Sequence, residues 1–380
     1  MKFSRIKNIK HYLIVFLYCL LVTDAKALSP QPRWWASAEY LYWWTQDSSI
    51  NAPLATQNPS SFAVIGQPGT RVIFGKDSSN DTFNFSAIGG YRITIGGWID
   101  DGYRYGIEGS GFGLSQAKQT FIASSVGVGK PILDVPFISI PSGSENVLVG
   151  NRPNTITDSD TFQPYSVELN ALYDITDNIK FPLIMTAGFR VLGINENLKL
   201  NDAIYNTPGL PVGSTFNVQD KFSTKNIFYG LQIGARTDLP YEKWDFSALA
   251  EIAFGINTQQ LKVRGETNIN NQTIIQPIGL FAEPSNIGTF RENQFAILPE
   301  LEMKVGYHLN KAIYPFFTYN ILYINNIIRA SNEIDRRINQ SQNPLIGGSG
   351  VLTGPAYPAK QFNNTSLWMQ GVSIGMEINL

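Results

Sequence analysis

The stretch R-W-W-A-S-A-E-Y-L-Y-W-W-T, from Arg33 to Thr45, alternates between two chemically different rows of side chains. One row carries no charge and reads Trp34, Ala36, Ala38, Tyr40, Tyr42, Trp44. The other row reads Trp35, Ser37, Glu39, Leu41, Trp43. A period of two is the repeat of a β-strand, in which successive side chains point to opposite faces. The stretch therefore predicts a strand with one uncharged face and one face that carries a carboxylate.

The uncharged face has the dimensions of a membrane-spanning strand. A strand that rises about 3.4 Å per residue and tilts by roughly 45° places Trp34 and Trp44 about 24 Å apart along the membrane normal. Outer-membrane barrels present an apolar band roughly 25 Å tall, flanked by aromatic girdles, around a polar interior. Glu39 lies at mid-depth on the opposite face, where a wet lumen accepts a charge. A half-buried strand of a soluble sandwich also alternates, so this stretch by itself is compatible with either fold.

The composition is compatible with a membrane barrel and gives no indication of nucleic-acid binding. The 380 residues suffice for one large barrel or two ordinary domains. Charged residues make up 16% of the chain and aromatic residues 12%, and the net charge is −1. After the N-terminus, no apolar run reaches the roughly 18 residues that a membrane helix needs. A membrane contact of the mature chain would therefore be made by strands.

The N-terminus reads as a secretory signal peptide. Basic residues precede the apolar run Tyr12–Val22, and Ala25-Lys26-Ala27 offers a small-residue cleavage site. We expect residues 1–27 to be removed and residues 28–380 to form the mature protein. Cys19 is the only cysteine of the chain and lies inside the apolar run. The mature chain is therefore expected to contain no disulfide and no thiolate metal site.

Period-two alternation recurs along the whole chain. The further predicted strands are Phe85–Ile99, Tyr103–Leu114, Tyr165–Ile175, Leu183–Ile194, Asn226–Thr237, Trp244–Asn257, Gln294–His308, Pro315–Ile328 and Ser366–Leu380. Pro299 removes a backbone donor from one of them, which predicts a bulge or a bend there. Two apolar segments of a predicted loop, Phe121–Val128 and Val147–Val149, could pair as an extra hairpin. The count is therefore ten strands, or twelve with that hairpin.

The connections alternate strictly between short and long. The long ones are Gln46–Asn84, Ser115–Pro164, Asn195–Lys225, Thr258–Asn293 and Arg329–Thr365. Short periplasmic turns, long extracellular loops and both termini on the short side are the topology of outer-membrane barrels. We predict an all-β fold, a transmembrane antiparallel up-and-down β-barrel of 10 to 12 strands, in the bacterial outer membrane.

Several strings resemble the beta-barrel porin seven family of bacterial outer-membrane proteins. They are S-A-E-Y-L-Y-W-W-T (Ser37–Thr45), G-Q-P-G-T-R-V-I-F-G (Gly66–Gly75), A-G-F-R-V-L (Ala187–Leu192), F-Y-G-L-Q-I-G (Phe228–Gly234), L-P-E-L (Leu298–Leu301), N-I-I-R-A-S-N-E-I-D (Asn326–Asp335) and L-T-G-P-A-Y-P-A (Leu352–Ala359). The resemblance covers the mature chain and implies the barrel fold and the outer-membrane compartment. It implies a pore only through the family's name. The chain departs from the family at Ala330-Ser331-Asn332 and at its terminal Leu380.

The strand parity predicts which side chains face the lumen. The candidate lumen or constriction residues are Glu39, Arg92, Arg104, Glu108, Glu168, Arg190, Gln232, Arg236, Glu251, Glu300 and Glu302, and the candidate girdle residues are Trp34, Trp44, Tyr103, Tyr165 and Tyr173. In a meander, Arg92 can meet Glu39 or Glu108, and Arg190 can meet Glu168, because the guanidinium fork suits carboxylates. These pairs either fill the interior or form an ion-selecting constriction. A barrel of ten or twelve strands is nearer the filled end of the size range.

The sequence favours a barrel without enzymatic activity. His308 is the only histidine after the signal segment, and it lies at the periplasmic end of a strand, away from an extracellular active site. We expect no cofactor, no metal site and no nucleic-acid partner. The expected partners are outer-membrane lipid, the barrel assembly machinery during biogenesis, and small solutes or an extracellular surface, with a monomer favoured. The leading function is a narrow porin-like channel for ions or small solutes, and the alternative is a closed structural or surface-binding barrel that acts through its long extracellular loops.

Overall fold

Ten long strands form the framework of the molecule. The computed structural model describes residues 33–125, 131–148, 152–179, 182–205, 213–270 and 273–380, so the expected signal peptide lies outside the described residues. The long strands are β1 (Trp34–Thr45), β2 (Ala87–Trp98), β3 (Tyr105–Leu114), β4 (Asn154–Asp174), β5 (Ile184–Tyr205), β6 (Thr215–Tyr241), β7 (Trp244–Ile269), β8 (Gly288–Tyr307), β9 (Ile313–Ile328) and β10 (Asn364–Asn379).

Shorter elements occupy the connections. The short strands are Ser48–Ser49, Pro53–Asn58, Arg71–Gly75, Thr82–Phe83, Ala117–Ser125, Ile132–Asp134, Pro136–Ile140, Ser144–Val147, Thr273–Gln276 and Arg337–Asn339. The helical turns are Thr176–Ile179, Ala330–Asn332, Gln340–Gln342 and Pro344–Ile346. Within the described ranges, no helix has the length and apolar character needed to cross a membrane.

The ten long strands close into an antiparallel ring. Each pairs with its neighbours along the chain, and β10 pairs back onto β1, with Ala38 opposite Met376. The predicted extra hairpin does not enlarge the ring. Ala117–Ser125 does form a strand, but it pairs with the first part of β4 and continues the line of β3. The predicted barrel fold is confirmed, with ten strands in the ring.

The outer wall has two zones that the side chains of β4 illustrate. From Tyr165 to Tyr173, every outward-facing residue is apolar or aromatic, whereas from Thr155 to Gln163 every outward-facing residue is polar. The same change occurs between Gly193 and Asn195 in β5, between Lys225 and Ile227 in β6, between Ile256 and Thr258 in β7, and between Asn293 and Phe295 in β8. We call the lower zone the membrane band and the upper zone the extension.

The predicted loops are too long, because the strands continue into the extension. Large parts of the expected loops Ser115–Pro164, Asn195–Lys225 and Thr258–Asn293 are continuations of β4 to β8 above the membrane band. In these parts the alternation is inverted, because the apolar residues point inward and the polar residues outward, as in a soluble protein. Leu198 and Phe222 are examples of the buried inward row.

The loops fold into the mouth of the barrel and complete an apolar core there. Pro53–Asn58 pairs with both Arg71–Gly75 and Ile132–Asp134, and Pro136–Ile140 pairs with both Ser144–Val147 and Arg337–Asn339. Their buried side chains join those of the extension in one hydrophobic cluster that includes Leu54, Phe74, Leu133, Phe137 and Ile338. Burial of this apolar surface holds the loops against the inner wall.

Pro299 does not produce the predicted bulge in its own strand. β8 keeps an uninterrupted register with β7 through the Ile252–Pro299 pair. On its other edge, the ladder to β9 stops at Glu300, next to the residue that has no backbone N–H. The irregularity lies in β9 instead, where Asn325 accepts a hydrogen bond from Ile297 N and Asn326 adopts a positive φ of 50°.

Candidate functional site

A layer of charged side chains crosses the lumen at the level of the membrane band. We call it the charged layer; its members are Glu39, Arg92, Glu168, Arg190, Glu251, Glu300 and Glu302. All seven point inward because they share the parity opposite to the lipid-facing residues. Register brings some of them directly opposite each other across neighbouring strands: Glu39 with Arg92, Glu168 with Arg190, and Glu251 with Glu300.

The close partners of Arg92 lie across the lumen on β8 and β9, and not on the neighbouring strand β1. Its Nη1 contacts Glu302 Oε2 in a close ion pair, and its Nη2 lies 3.4 Å from Glu300 Oε1. Both terminal nitrogens donate to Asn320 Oδ1 at 3.1 Å. Glu39, the expected partner, lies 4.0 Å away. The alternative partner Glu108 is not a contact of Arg92.

Glu300 connects the two arginines of the layer. One of its carboxylate oxygens approaches Arg92, and the other lies 2.5 Å from Arg190 Nη2. Arg190 also lies 3.5 Å from Glu168 Oε2, the partner that strand order predicts. A single carboxylate therefore joins charges from β2, β5 and β8, which strand adjacency alone does not bring together.

The layer contains five carboxylates and two guanidinium groups, and neutral side chains donate hydrogen bonds to three of the carboxylates. Ser373 donates to Glu39 Oε2 at 2.5 Å, and Thr186 donates to Glu251 Oε1 at 2.9 Å. Gln232, a predicted lumen residue, donates to Glu168 Oε2 at 3.1 Å. Such hydroxyl and amide donors stabilise buried carboxylates where the cations are too few to neutralise all of them.

The charged layer is shielded from bulk water. The side chains of Glu39, Arg92, Arg190 and Glu300 are each at most 8% exposed, and those of Glu302 and Glu168 are 15% and 18% exposed. Arg92 also packs between Trp43 and Phe112, with its guanidinium carbon 5.6 and 5.8 Å from the ring centroids. The side chains that line an open aqueous pore would be accessible to solvent, so the burial is that of a filled cross-section.

A second polar group lies below the charged layer, toward the periplasmic turns. Arg236 Nη1 contacts Glu108 Oε2 at 3.0 Å, and Trp35 Nε1 donates to the same oxygen at 3.1 Å. The His308 ring contacts Asp245 here, at the periplasmic end where the sequence placed it. Within the described residues, no cluster of three or more His, Cys, Asp or Glu has the arrangement of a metal site.

Two of the predicted site residues lie elsewhere. Arg104 is exposed in the turn before β3, so its assignment to the lumen is wrong. Tyr103, predicted in the girdle, adopts a positive φ of 52° and packs against the buried Trp35–Trp98 cluster at the periplasmic end. Both errors have one cause, because the strand begins at Tyr105 and parity has no meaning in the preceding turn.

The other girdle residues face outward as predicted. Trp34 and Trp44 are 43% and 39% exposed at the two ends of β1. Tyr165 and Tyr173 occupy the outward row of β4, and Tyr173 stacks on Tyr105 with ring centroids 5.2 Å apart. Partial exposure of aromatic rings at both limits of an apolar band is the pattern expected at membrane interfaces.

The prediction missed the neutral members of the network. Thr186, Asn170, Asn320, Thr318 and Ser373 are all buried in the lumen at positions of inward parity. Their parity was available from the sequence. The sequence did not show that each of them lies within hydrogen-bond distance of a charged side chain.

The extension holds buried acids of its own, outside the membrane band. Burial raises the pKa of Asp202 to about 7, although Asn154 Nδ2 donates to its Oδ1. Burial also raises the pKa of Asp220 to about 6, against the opposing effect of three backbone N–H donors. With Asp158, both line a cavity of about 20 Å³, which has room for about one water molecule.

A buried ion pair ties the last long loop to the wall of the extension. Arg329 Nε lies 2.5 Å from Glu196 Oε1, and the backbone N–H of Ala330 donates to Glu196 Oε2 at 3.1 Å. The guanidinium also lies over the ring of Phe162, 5.4 Å from its centroid. Ser331 in the same turn bonds to Ser48 and Ser49 of the first loop. The pair therefore links two loops and the barrel wall.

Comparison with known families finds one match that spans nearly the whole described chain. The family model described as Putative beta barrel porin-7 matches residues 35–380. None of the curated proteins compared with the sequence matches it. Among solved structures, the outer membrane protease OmpT from Escherichia coli is 8% identical, with a TM-score of 0.44 and coverage of 94% of this chain and 100% of that chain.

Two further solved structures are similar at lower scores. The transport unit of the autotransporter AIDA-I from Escherichia coli is 6% identical, with a TM-score of 0.27 and 98% of each chain covered. The toluene transporter TbuX from Ralstonia pickettii is 11% identical, with a TM-score of 0.22 and coverage of 93% of this chain and 90% of that chain. At these identities and scores the similarities carry no argument about activity.

Proposed function

This chain belongs to the Putative beta barrel porin-7 family of outer-membrane barrels, and we propose that it is a closed, non-enzymatic barrel that acts through its extracellular end. The observation that carries the proposal is the burial of the charged layer, in which Arg190 is 1% and Arg92 7% exposed. An ion that crosses the lumen would have to part Arg92 and Arg190 from carboxylates that they already contact. Breaking buried ion pairs of this kind costs several kcal/mol.

The apolar core above the charged layer supports the same proposal. Leu54 and Phe74 from the first loop and Ile338 from the last loop are buried against the inner wall of the extension. A hydrated ion or small polar solute would lose its hydration in such a core without gaining partners. Closure therefore has two independent contributions, one polar and one apolar.

The extracellular end offers an ordered surface for contacts. The segment from Ser349 to Ala356 is exposed throughout and includes Val351 and Leu352. Asn339 Nδ2 anchors it by donating to the carbonyls of Thr353 and Pro355, both at 2.8 Å. A surface loop fixed by hydrogen bonds loses little conformational entropy on binding, which favours a role in recognition or in structural contacts.

Single-channel recording in planar lipid bilayers tests the proposal. We expect refolded wild-type protein to be silent over the whole accessible voltage range, while the same preparation shows correct folding by heat-modifiable migration on gels. Stepwise conductance of the wild type would overturn the closed-barrel proposal. An unfolded preparation cannot mimic silence here, because the gel shift reports folding in the same sample.

The second candidate function is a gated, cation-selective channel. It is favoured by the composition of the charged layer, in which five carboxylates outnumber two arginines. Rings of carboxylates select for cations. The variant Arg329→Ala removes the buried ion pair that ties the last loop to Glu196. Cation-selective conductance of this variant, with a silent wild type, would favour the gated channel; silence of both would favour permanent closure.

A further inference from the structure

Six basic residues cover one side of the outer wall, immediately above the membrane band. We call them the basic wall: Lys199, Lys221, Lys225, Lys262, Arg264 and Arg291. They lie at outward-facing positions of β5, β6, β7 and β8 in the extension. The lumen network does not use them, and none takes part in an ion pair among the described residues.

The cations are in register, which neighbouring strands normally avoid. Lys199 lies directly opposite Lys221, and Lys221 lies directly opposite Arg264. Like charges at directly opposed positions of a sheet destabilise it. Two rows below, Lys225 and Arg291 flank Gln260 from the strands on either side. An arrangement that costs stability in the isolated protein points to an anion that compensates it.

Acidic residues are absent from the outward-facing positions of these three rows. The remaining members are Asn195, Asn197, Ser223, Gln260 and Thr289, all uncharged. Glu266 enters only in the next row up, where Asn268 donates to it at 2.8 Å. The wall is therefore a surface of one sign.

The height of the wall identifies the kind of anion. Lys225 is the next outward residue above the apolar Ile227, and Arg291 lies two outward positions above Phe295. Each outward position adds about 7 Å along a strand. Lys225 therefore meets the layer of lipid headgroups, which is only about 5–8 Å thick for a phospholipid, and Arg291 lies above that layer. Lys221 and Arg264 lie three and four positions above the band, beyond the reach of such a thin layer.

We propose that the basic wall binds a phosphorylated glycolipid of the outer leaflet, whose tall headgroup places phosphate groups next to these cations. The phosphates would bridge Lys199, Lys221 and Arg264 and relieve their repulsion, since lysine and arginine are suited to phosphate oxygens. A basic residue near an anionic lipid surface strengthens binding about fivefold. The proposal does not depend on whether the lumen conducts.

The test measures binding of a fluorescently labelled phosphorylated lipopolysaccharide to the refolded protein in neutral detergent micelles, by fluorescence anisotropy. The triple variant Lys199→Gln, Lys221→Gln, Arg264→Gln should bind about 100-fold more weakly than the wild type, from about 3 kcal/mol at 1.4 kcal/mol per tenfold change. Added salt should weaken binding of the wild type more than that of the variant. Equal affinity of the two proteins would overturn the proposal.

A matched control removes the same number of charges elsewhere. The variant Arg71→Gln, Lys76→Gln, Lys311→Gln neutralises exposed cations outside the basic wall and should bind like the wild type. An equal loss in this control would show non-specific attraction and overturn the proposal. All of these substitutions are at exposed positions, so heat-modifiable migration should remain and confirm that every variant folds.

Two further experiments distinguish the phosphate of a glycolipid from free inorganic phosphate. Enzymatic dephosphorylation of the labelled lipopolysaccharide should abolish the difference between the wild type and the triple variant. Inorganic phosphate should compete only weakly, because a free ion bridges fewer of the cations than one glycolipid does. Undiminished binding of the dephosphorylated lipid, or full competition by inorganic phosphate, would overturn the assignment to a phosphorylated glycolipid.

Discussion

Replacement of Arg92 by alanine tests whether the charged layer is dry. The substitution removes the close ion pair with Glu302, the contact at 3.4 Å with Glu300 and two hydrogen bonds to Asn320. It leaves five carboxylates of the layer with Arg190 as their one guanidinium. Because removal of one partner from a buried ion pair typically costs about 3–5 kcal/mol, we expect a loss of that size in the free energy of unfolding.

The assay is urea unfolding of the protein in lipid vesicles, followed by the gel shift between folded and unfolded forms. Thr94→Ala is the matched control, since Thr94 is the next inward residue of the same strand and makes one hydrogen bond, to Ser110 at 3.0 Å. It should cost only about 1 kcal/mol. Arg104→Ala, at the exposed turn, should change the free energy of unfolding by less than about 0.5 kcal/mol.

A double variant tests whether the lost stability comes from the carboxylate of Glu302, which Arg92 no longer neutralises. Glu302→Gln in the Arg92→Ala background removes a carboxylate that has lost its partner, so part of the lost stability should return, with a coupling energy of roughly 1–3 kcal/mol. The reasoning is refuted if Arg92→Ala costs no more than Thr94→Ala, because that would mean that water reaches the layer and solvates the carboxylates. If the Arg92→Ala variant conducts ions in a bilayer, the apolar core above the charged layer does not close the barrel by itself, contrary to the proposal.

Three other predictions concern facing, pH and assembly. Ile93→Arg places a charge on the lipid side and should cost about 2–4 kcal/mol, whereas Thr94→Arg in the lumen should cost less; equal losses in the free energy of unfolding would contradict the assigned parity. The folded-state pKa of Asp202, about 7, lies above its unfolded value, so its contribution to stability is greatest below about pH 4 and falls by about 4 kcal/mol as the pH rises to about 7. Asp202→Asn should flatten that part of the measured pH profile, and an unchanged profile would rule out this origin. Mature protein should fractionate with the outer membrane and show heat-modifiable migration; recovery from the soluble periplasm would contradict the barrel.

In the charged layer, strand parity predicts which side chains face the lumen but not which of them pair. Parity placed Glu39, Arg92, Glu168 and Arg190 on the lumenal side, because side-chain direction along a strand depends on the local backbone alone. It could not choose Glu302 over Glu108 as the partner of Arg92, because the two glutamates lie on different strands whose height depends on the stagger of the closed ring. The central position of Glu300 between Arg92 and Arg190 has the same origin.

The alternation in Arg33–Thr45 and its repeats determined the all-β fold, the antiparallel meander and the apolar outer band, because these follow from local periodicity and from the order of short and long connections. Only the tertiary structure decided that the segments around Leu198, Phe222 and Val263 are strand rather than loop. Their apolar rows point inward, and an inward apolar row becomes stable only when loops from distant parts of the chain, such as those carrying Leu54 and Ile338, cover it. Burial of that kind is a property of the assembled barrel, which no single stretch of sequence encodes.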